Sequence, residues 1–197
     1  MNTATANAGS TAPAPVPAKL AHVVLRTSKF QEMQDWYRQV LVASTTYADH
    51  GLAFLTYDDE HHRVALLNAP DLKPQADGVA GVHHVAFTYA TLGDLVTTFE
   101  RLRGLDIVPV YCTNHGPTTS LYYQDPDGNQ IELQVDNFDT IEEATQFFYS
   151  PEFAENAIGV DFDPAELASR YRAGEADASI KRRGSIGQRG LDSLPLR

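Results

Sequence analysis

Apolar and polar residues follow one pattern in the first part of the chain. Alternation over 20–27 predicts a strand, and apolar positions three and four residues apart over 28–41 predict a helix with Ser28 as its N-cap. Further strands are predicted at 51–57 and 63–68, with a short additional one around 44–48. The predicted order is therefore one strand, one helix and three strands, written βαβββ.

The same order returns in the second part of the chain. Its strand, helix and three strands are predicted at 82–89, 91–104, 106–112, 121–124 and 129–135. When His22 is placed on His84, Met33 falls on Leu95 and Tyr37 falls on Phe99. Such a repeat predicts an α+β fold in which two tandem βαβββ modules form a cupped mixed sheet with the helices outside.

The chain divides by composition around these modules. We expect a single domain over 19–136, built from modules at 19–68 and 82–136. Capping signals predict a helical extension over 137–174, in which Thr140 and Glu143 fit a capping box and Ser150 and Asp163 each precede a proline. Residues 1–18 are rich in Ala, Thr and Pro and predict a disordered arm, and residues 175–197 predict a flexible tail.

Charge and cysteine content narrow the possible partners and location. The net charge of −11 argues against nucleic acid or an anionic membrane surface as a partner, because both attract a basic face. One cysteine, Cys112, allows no internal disulfide and favours a reducing, cytoplasmic context, with Cys112 itself in the core. With 43% hydrophobic residues, the chain has the material for a substantial core.

Strand alternation predicts that the adjacent residues His83 and His84 face opposite sides of the sheet. Val85 and Phe87 share the phase of His83 and should pack under a helix, so His84 faces into the cup. By the same reasoning, Glu132 in the last strand faces the cup, and so does His22 in the first strand. His22 and His84 occupy equivalent places in the two modules.

Two histidines and one carboxylate on one face suit a divalent first-row metal, as in the facial triad of non-haem Fe(II) oxygenases. Each residue alone has a simpler interpretation, since a histidine at a strand start usually satisfies a local hydrogen bond and an outward glutamate is usually solvated. The equivalent placement of the two histidines, with the glutamate on the same face, favours the metal.

Three motifs occur in order: H-H-V-A-F at 83–87, N-H-G at 114–116 and L-Y-Y-Q-D-P-D-G-N-Q-I-E-L at 121–133. Together with the paired modules, they resemble the vicinal oxygen chelate (glyoxalase-like) superfamily over residues 19–136. Within it, the chain is similar to type I extradiol ring-cleavage dioxygenases of the small one-domain form, the catechol 2,3-dioxygenase and 2,3-dihydroxybiphenyl 1,2-dioxygenase group.

This resemblance implies roles for six residues. The metal ligands would be His22, His84 and Glu132, holding Fe(II), although the same donor types also accept Mn(II). His115 and Tyr122 would be pocket residues that contact the substrate oxygens. His62 would move protons near dioxygen, but alternation from Val64 turns it away from the cup unless the strand start is irregular, so His61 is a rival.

The implied activity is Fe(II)-dependent cleavage of a catechol-type ring with O2 to a muconic semialdehyde-type product. The implied partners are a catecholic substrate, O2 and further copies of the chain in a homo-oligomer. Ala65 stands where repeat symmetry would place a second glutamate, which suits three protein ligands better than the four of an isomerase. The alternatives are a metal-dependent lyase or isomerase of the same superfamily, and a non-catalytic small-molecule-binding protein of the resistance type.

Overall fold

A computed structural model describes residues 14–76 and 78–193, apart from the side chain of Leu191. The predicted disordered arm lies mostly outside these residues, as does the end of the predicted tail at 194–197. Among the described residues, no helix has both the length and the apolar character needed to cross a membrane.

The first module has the predicted βαβββ order. Its elements are β1 (Val23–Thr27), α1 (Phe30–Leu41), β2 (Ser44–Ala48), β3 (Leu52–Thr56) and β4 (Val64–Asn68). The strands form a sheet in the order β1-β4-β3-β2, in which β1 runs parallel to β4 and the other neighbours are antiparallel.

The second module repeats this arrangement. Its elements are β5 (His84–Tyr89), α2 (Leu92–Arg103), β6 (Tyr111–Asn114), β7 (Thr118–Gln124) and β8 (Gln130–Asp136). The strand order is β5-β8-β7-β6, and β9 (Val160–Asp161) from the extension adds a fifth strand beside β6. The predicted α+β fold of two mixed βαβββ modules is confirmed, with the strands in two sheets rather than one.

Repeat-related residues fill the core beneath the two helices. Met33 and Leu95 are fully buried at equivalent places, and Tyr37 and Phe99 are also buried at equivalent places. Apolar residues at helical spacing therefore bring each helix onto its own sheet. Cys112 also lies in this core, and burial raises the pKa of its thiol to about 12.

Two local predictions were wrong. Helix α1 begins at Phe30 with Lys29, not Ser28, at the N-cap position, and no side chain caps it. The main-chain N–H of Lys29 donates to the Thr27 hydroxyl at 2.8 Å. Strand β6 begins at Tyr111 instead of residue 106, since Asp106 has a φ of +59° and Pro109 has no N–H to donate to a sheet.

The extension contains α3 (Ile141–Phe147), α4 (Pro151–Glu155), α5 (Pro164–Arg172) and α6 (Asp177–Ile180), followed by a 3-10 turn at Leu191–Ser193. Three predicted N-caps are present: the capping box of Thr140 and Glu143, and the Ser150 and Asp163 side chains. The described part of the predicted flexible tail differs from expectation. Ile180 is buried, and Arg183 and Arg189 donate hydrogen bonds to main-chain carbonyls of the extension.

Side chains join the two modules at their helices and edge strands. The Tyr37 hydroxyl donates to Asp125 Oδ2 at 3.1 Å, and Arg101 Nη2 donates to the carbonyl of Val40 at 3.1 Å. Strands β1 and β5 are edges of their own sheets and line a common groove. The relation between the modules therefore depends on side-chain packing.

Candidate active site

One row of side chains crosses the second sheet on the face opposite α2. Sheet register pairs Ala86 with Glu132, Glu132 with Tyr122, and Tyr122 with Tyr111. Register partners share a face, so these residues form a continuous row. The rings of Tyr111 and Tyr122 stack with centroids 4.1 Å apart and planes 4° from parallel.

His84 and Glu132 lie in direct contact on this face. His84 stands two residues before Ala86, so alternation places it with the row, and its Nε2 lies 3.0 Å from Glu132 Oε2. Burial acts to raise the pKa of Glu132, but hydrogen bonding, chiefly from His84, outweighs it and holds the pKa below its usual value. His83 lies on the other phase, where it lines the groove between β1 and β5.

His115 and Tyr122 form a second polar pair beside the first. His115 Nε2 lies 2.9 Å from Tyr122 Oη, and His115 Nδ1 contacts the carbonyl oxygen of Ile158. Burial lowers the pKa of His115, which favours the neutral ring. Because a carbonyl only accepts, the proton of that neutral ring lies on Nδ1 and Nε2 accepts from the phenol.

Tyr122 connects the two pairs. Burial raises the pKa of Tyr122, and the carboxylate of Glu132 raises it further, so the phenol keeps its proton. The Tyr122 ring also meets the His84 ring edge to face, with centroids 5.2 Å apart. His84, Glu132, Tyr122 and His115 therefore form one contiguous set, called here the module 2 cluster.

The N-H-G motif forms the turn that carries His115. Gly116 has a φ of +103°, and its N–H donates to Asn114 Oδ1 at 2.9 Å. A Cβ at Gly116 would lie 2.2 Å from the ring of Phe147. The glycine is thus required both by the backbone conformation and by the close approach of α3.

The first module has a row of side chains at positions equivalent to those of the second module, but most of its residues are apolar. Register pairs Val24 with Ala65, Ala65 with Phe54, and Phe54 with Tyr47, so Ala65 takes the place that Glu132 has in the second module. Ala65 is buried. This face is therefore mostly apolar where the second module is polar.

His22 and His62 lie together on the face of the first module. Their ring centroids are 4.3 Å apart, and His62 stacks on Phe54 at 4.6 Å with an interplanar angle of 16°. His62 precedes β4 in an irregular segment, so alternation from Val64 does not govern its direction. The rival His61 is more exposed, with a side chain 71% exposed beside Glu60, and its ring centroid lies 4.4 Å from that of His62.

The six predicted site residues thus fall into two groups, one in each module. Within the described residues, no three or more His, Cys, Asp and Glu side chains are placed to hold a metal together. His84 and Glu132 supply adjacent nitrogen and oxygen donors of the kind that first-row divalent metals bind. They fit two ligand positions, whereas His22 lies with His62, and its role as the third ligand stays a prediction.

Sequence reasoning missed two partners of the cluster. Tyr111 stacks on Tyr122, and sheet register makes it the equivalent of Tyr47. The alignment of the two modules in the sequence places Tyr47 on Pro109 instead, so the repeat did not identify Tyr111. The main-chain carbonyl of Ile158 orients the ring of His115, although the two residues are distant in the chain. A main-chain acceptor of this kind cannot be predicted from a pattern of side chains.

Comparisons with known proteins agree with this architecture. Residues 19–133 match the family model described as "Glyoxalase/Bleomycin resistance protein/Dioxygenase superfamily". The chain is 54% identical to Biphenyl-2,3-diol 1,2-dioxygenase 2 of Rhodococcus globerulus, over 79% of this chain and 83% of that protein. It is 44% identical to Biphenyl-2,3-diol 1,2-dioxygenase 3 of the same organism, over 85% and 90% respectively.

The fold is also found in solved structures. A glyoxylase/bleomycin resistance protein/dioxygenase domain from Frankia sp. EAN1pec superposes with a TM-score of 0.53 at 16% identity, covering 64% of this chain and 96% of that one. At this identity the likeness concerns the fold alone. Motifs, module architecture and family match agree, and the chain belongs to the Glyoxalase/Bleomycin resistance protein/Dioxygenase superfamily.

Proposed function

We propose that this chain is a non-haem Fe(II)-dependent extradiol dioxygenase, which cleaves a catechol-type ring with O2 to a muconic semialdehyde-type product. The observation that carries the proposal is the module 2 cluster, in which a His–Glu donor pair and a His–Tyr proton-handling pair share one face. The 54% identity to a biphenyl-2,3-diol 1,2-dioxygenase supports it and favours a catechol with an aryl substituent.

His84 Nε2 and Glu132 Oε2 would hold the metal, with His22 as the third ligand. When bound, Fe(II) supplies a Lewis acid for the two diol oxygens and an electron-transfer centre for dioxygen. Ala65 offers no donor at the position equivalent to Glu132, so the predicted protein ligands number three and leave positions for exogenous groups. Mn(II) prefers similar donors and is the closest competitor for this site.

Tyr122 and His115 would handle protons beside the diol. The Tyr122 phenol keeps its proton and can donate it in a hydrogen bond to a substrate oxygen. The unprotonated Nε2 of His115 can accept a proton at the same place, and the Ile158 carbonyl keeps Nδ1–H turned away from the substrate. A donor and an acceptor 2.9 Å apart can therefore move one proton onto and off the substrate.

The face of the first module would receive the rest of the substrate. Val24, Ala65 and Phe54 form an apolar surface suited to an aromatic substituent. His62 stacks on this surface beside His22 and, with burial lowering its pKa, is neutral near pH 7. We assign it the proton transfers near dioxygen, in preference to the exposed His61.

Substitution in β8 tests the donor pair. The Fe(II)-loaded protein is mixed with 2,3-dihydroxybiphenyl in air, and the yellow ring-fission product is followed by absorbance. Glu132→Gln and His84→Ala should lose bound iron and product formation together. Gln134→Ala is the matched control, because Gln134 lies on the same face of β8 and bonds only Thr88 among the described residues.

Other outcomes would contradict the proposal. Wild-type protein that binds no metal would favour a small-molecule-binding protein of the resistance type, and turnover without O2 would favour a lyase or isomerase. His22→Ala tests the third ligand separately, because its iron content should fall although the module 2 cluster is intact. Iron content equal to wild type would remove His22 from the ligand set.

A further inference from the structure

The C-terminal arm, residues 177–193, lies against the turn that carries His115. Arg183 is its main contact, and the guanidinium donates to three main-chain carbonyls: those of His115 at 2.9 Å, Glu152 at 3.0 Å and Asn156 at 2.7 Å. Its Cζ also lies 5.4 Å from the centroid of the Phe147 ring. Arg183 thus joins the N-H-G turn to α3, α4 and the segment that follows α4.

That following segment holds the other side of His115. Asn156 is 2% exposed, and its Oδ1 accepts the N–H groups of Ile158 at 3.0 Å and Gly159 at 2.8 Å. Its Nδ2 donates to the Gly159 carbonyl at 2.9 Å. This closed loop presents the Ile158 carbonyl to His115 Nδ1.

Arg183 therefore contacts both the main chain of His115 and the loop that supplies the hydrogen-bond acceptor for the His115 ring. It bonds the main-chain carbonyl of His115 itself, and through Asn156 it bonds the loop that supplies the Nδ1 acceptor. Within the described residues, no carboxylate lies within 4.0 Å of its guanidinium, so its contacts serve to arrange main chain. A guanidinium suits this role because its donors have a fixed, planar geometry.

We propose that Arg183 is a positioning residue, which fixes the ring orientation and tautomer of His115 so that Nε2 faces Tyr122. Its consequence for turnover rests on the function proposed above, whereas its effect on the His115 ring does not. Without Arg183, the Asn156 loop that carries the Ile158 carbonyl loses its connection to the N-H-G turn, although the Asn156 side chain still orders the loop itself. The His115 ring is then freer to rotate or exchange tautomers. A small misplacement of an acid–base group costs rate far more than it costs binding.

The test compares Arg183→Ala with Arg182→Ala in the full-length, Fe(II)-loaded protein. Arg182 is the adjacent arginine, is exposed, and has no side-chain hydrogen bond among the described residues, so the charge change is matched. For Arg183→Ala we expect kcat to fall about tenfold, a fraction of the roughly 10²–10⁴-fold that a positioned acid or base contributes. KM should stay within about twofold, since the guanidinium does not contact substrate. Arg182→Ala should resemble wild type.

A spectroscopic readout separates this proposal from the proposed function. Nitrogen NMR of ¹⁵N-histidine-labelled protein reports the tautomer of His115, whose signals are assigned with His115→Gln. Arg183→Ala should lose the Nδ1–H tautomer signature, while Arg182→Ala keeps it. This comparison decides the positioning role even if the wild type consumes no oxygen with any catechol.

Arg183→Lys is a second variant, which keeps the proposal testable if Arg183→Ala does not fold. Lysine retains a donor for these carbonyls, so this variant should fold and recover part of both kcat and the tautomer signature. The proposal is overturned if Arg183→Ala has wild-type His115 signals, or if a folded Arg183→Ala loses no more kcat than Arg182→Ala. It is also overturned if Arg183→Lys folds as well as wild type yet recovers neither quantity.

Discussion

Replacing Gly116 by alanine should destabilise the protein for two separable reasons. The first is conformational, because Gly116 has a φ of +103°, which L-residues rarely adopt. The second is steric, because the new Cβ would lie 2.2 Å from Phe147 Cε1 and 2.3 Å from Cζ. The Phe147 ring is itself in contact with Phe153 and Arg183, so it does not move freely.

The two costs can be estimated one at a time. A non-glycine residue in a sparsely populated backbone region costs about 1–3 kcal/mol. Forcing extra volume into a filled site costs about 1–3 kcal/mol more. Gly116→Ala should therefore lower the free energy of unfolding by about 2–6 kcal/mol.

Gly174→Ala is the matched control. Gly174 also has positive φ, at +83°, but a Cβ there would meet nothing within 4 Å. It should therefore show only the conformational cost of about 1–3 kcal/mol. Urea denaturation of both variants, followed by circular dichroism, gives the difference that belongs to Phe147.

A double-mutant cycle with Phe147→Leu identifies the steric part. The smaller side chain should recover stability in the Gly116→Ala background by about 1–3 kcal/mol relative to its effect on wild type. Equal destabilisation by Gly116→Ala and Gly174→Ala, together with no coupling to Phe147, would refute this explanation of the N-H-G glycine.

Three further substitutions test contacts outside the site. Tyr37→Phe removes the hydrogen bond to the buried carboxylate of Asp125 and should cost about 1.5–3 kcal/mol in urea denaturation, so an unchanged midpoint would contradict that bond. Thr140→Ala removes the capping box of α3 and should cost about 1 kcal/mol, and a loss below roughly 0.3 kcal/mol would mean that the cap is not formed. Hydrogen bonds from Arg170 hold the pKa of Glu175 at about 2, below its usual 4.5, so the stability this carboxylate contributes is present above pH 4.5 and lost as pH falls toward 2. Glu175→Gln should therefore flatten the acid decline of the melting temperature between these pH values, and a decline identical to wild type would count against the pair.

Features set by neighbouring residues in the chain could be predicted from the sequence. Alternation within each strand turns His84 and Glu132 away from the face that packs under the helix. The pairing of β5 with β8 in one sheet then brings the two side chains together. The capping box of Thr140 and Glu143 is likewise a local signal. These features require no knowledge of how the modules meet.

Features that depend on distant packing could not be predicted in this way. His22 directly precedes β1, an edge strand of the other sheet, so its distance from His84 depends on contacts between modules that no periodicity encodes. The position of His62 depends on an irregular segment that interrupts alternation before β4. The tail composition gave no sign that Arg183 would bond the carbonyl of His115.

The ratio of O2 consumed to diol lost tests most directly whether this protein is an extradiol dioxygenase. The Fe(II)-loaded protein is given 2,3-dihydroxybiphenyl in an oxygen-electrode cell, with substrate loss, product and hydrogen peroxide measured in the same sample. An extradiol dioxygenase consumes one O2 for each diol lost, forms one ring-fission product and releases no peroxide. Diol loss without O2 uptake, or O2 uptake that appears as peroxide without ring fission, would contradict it.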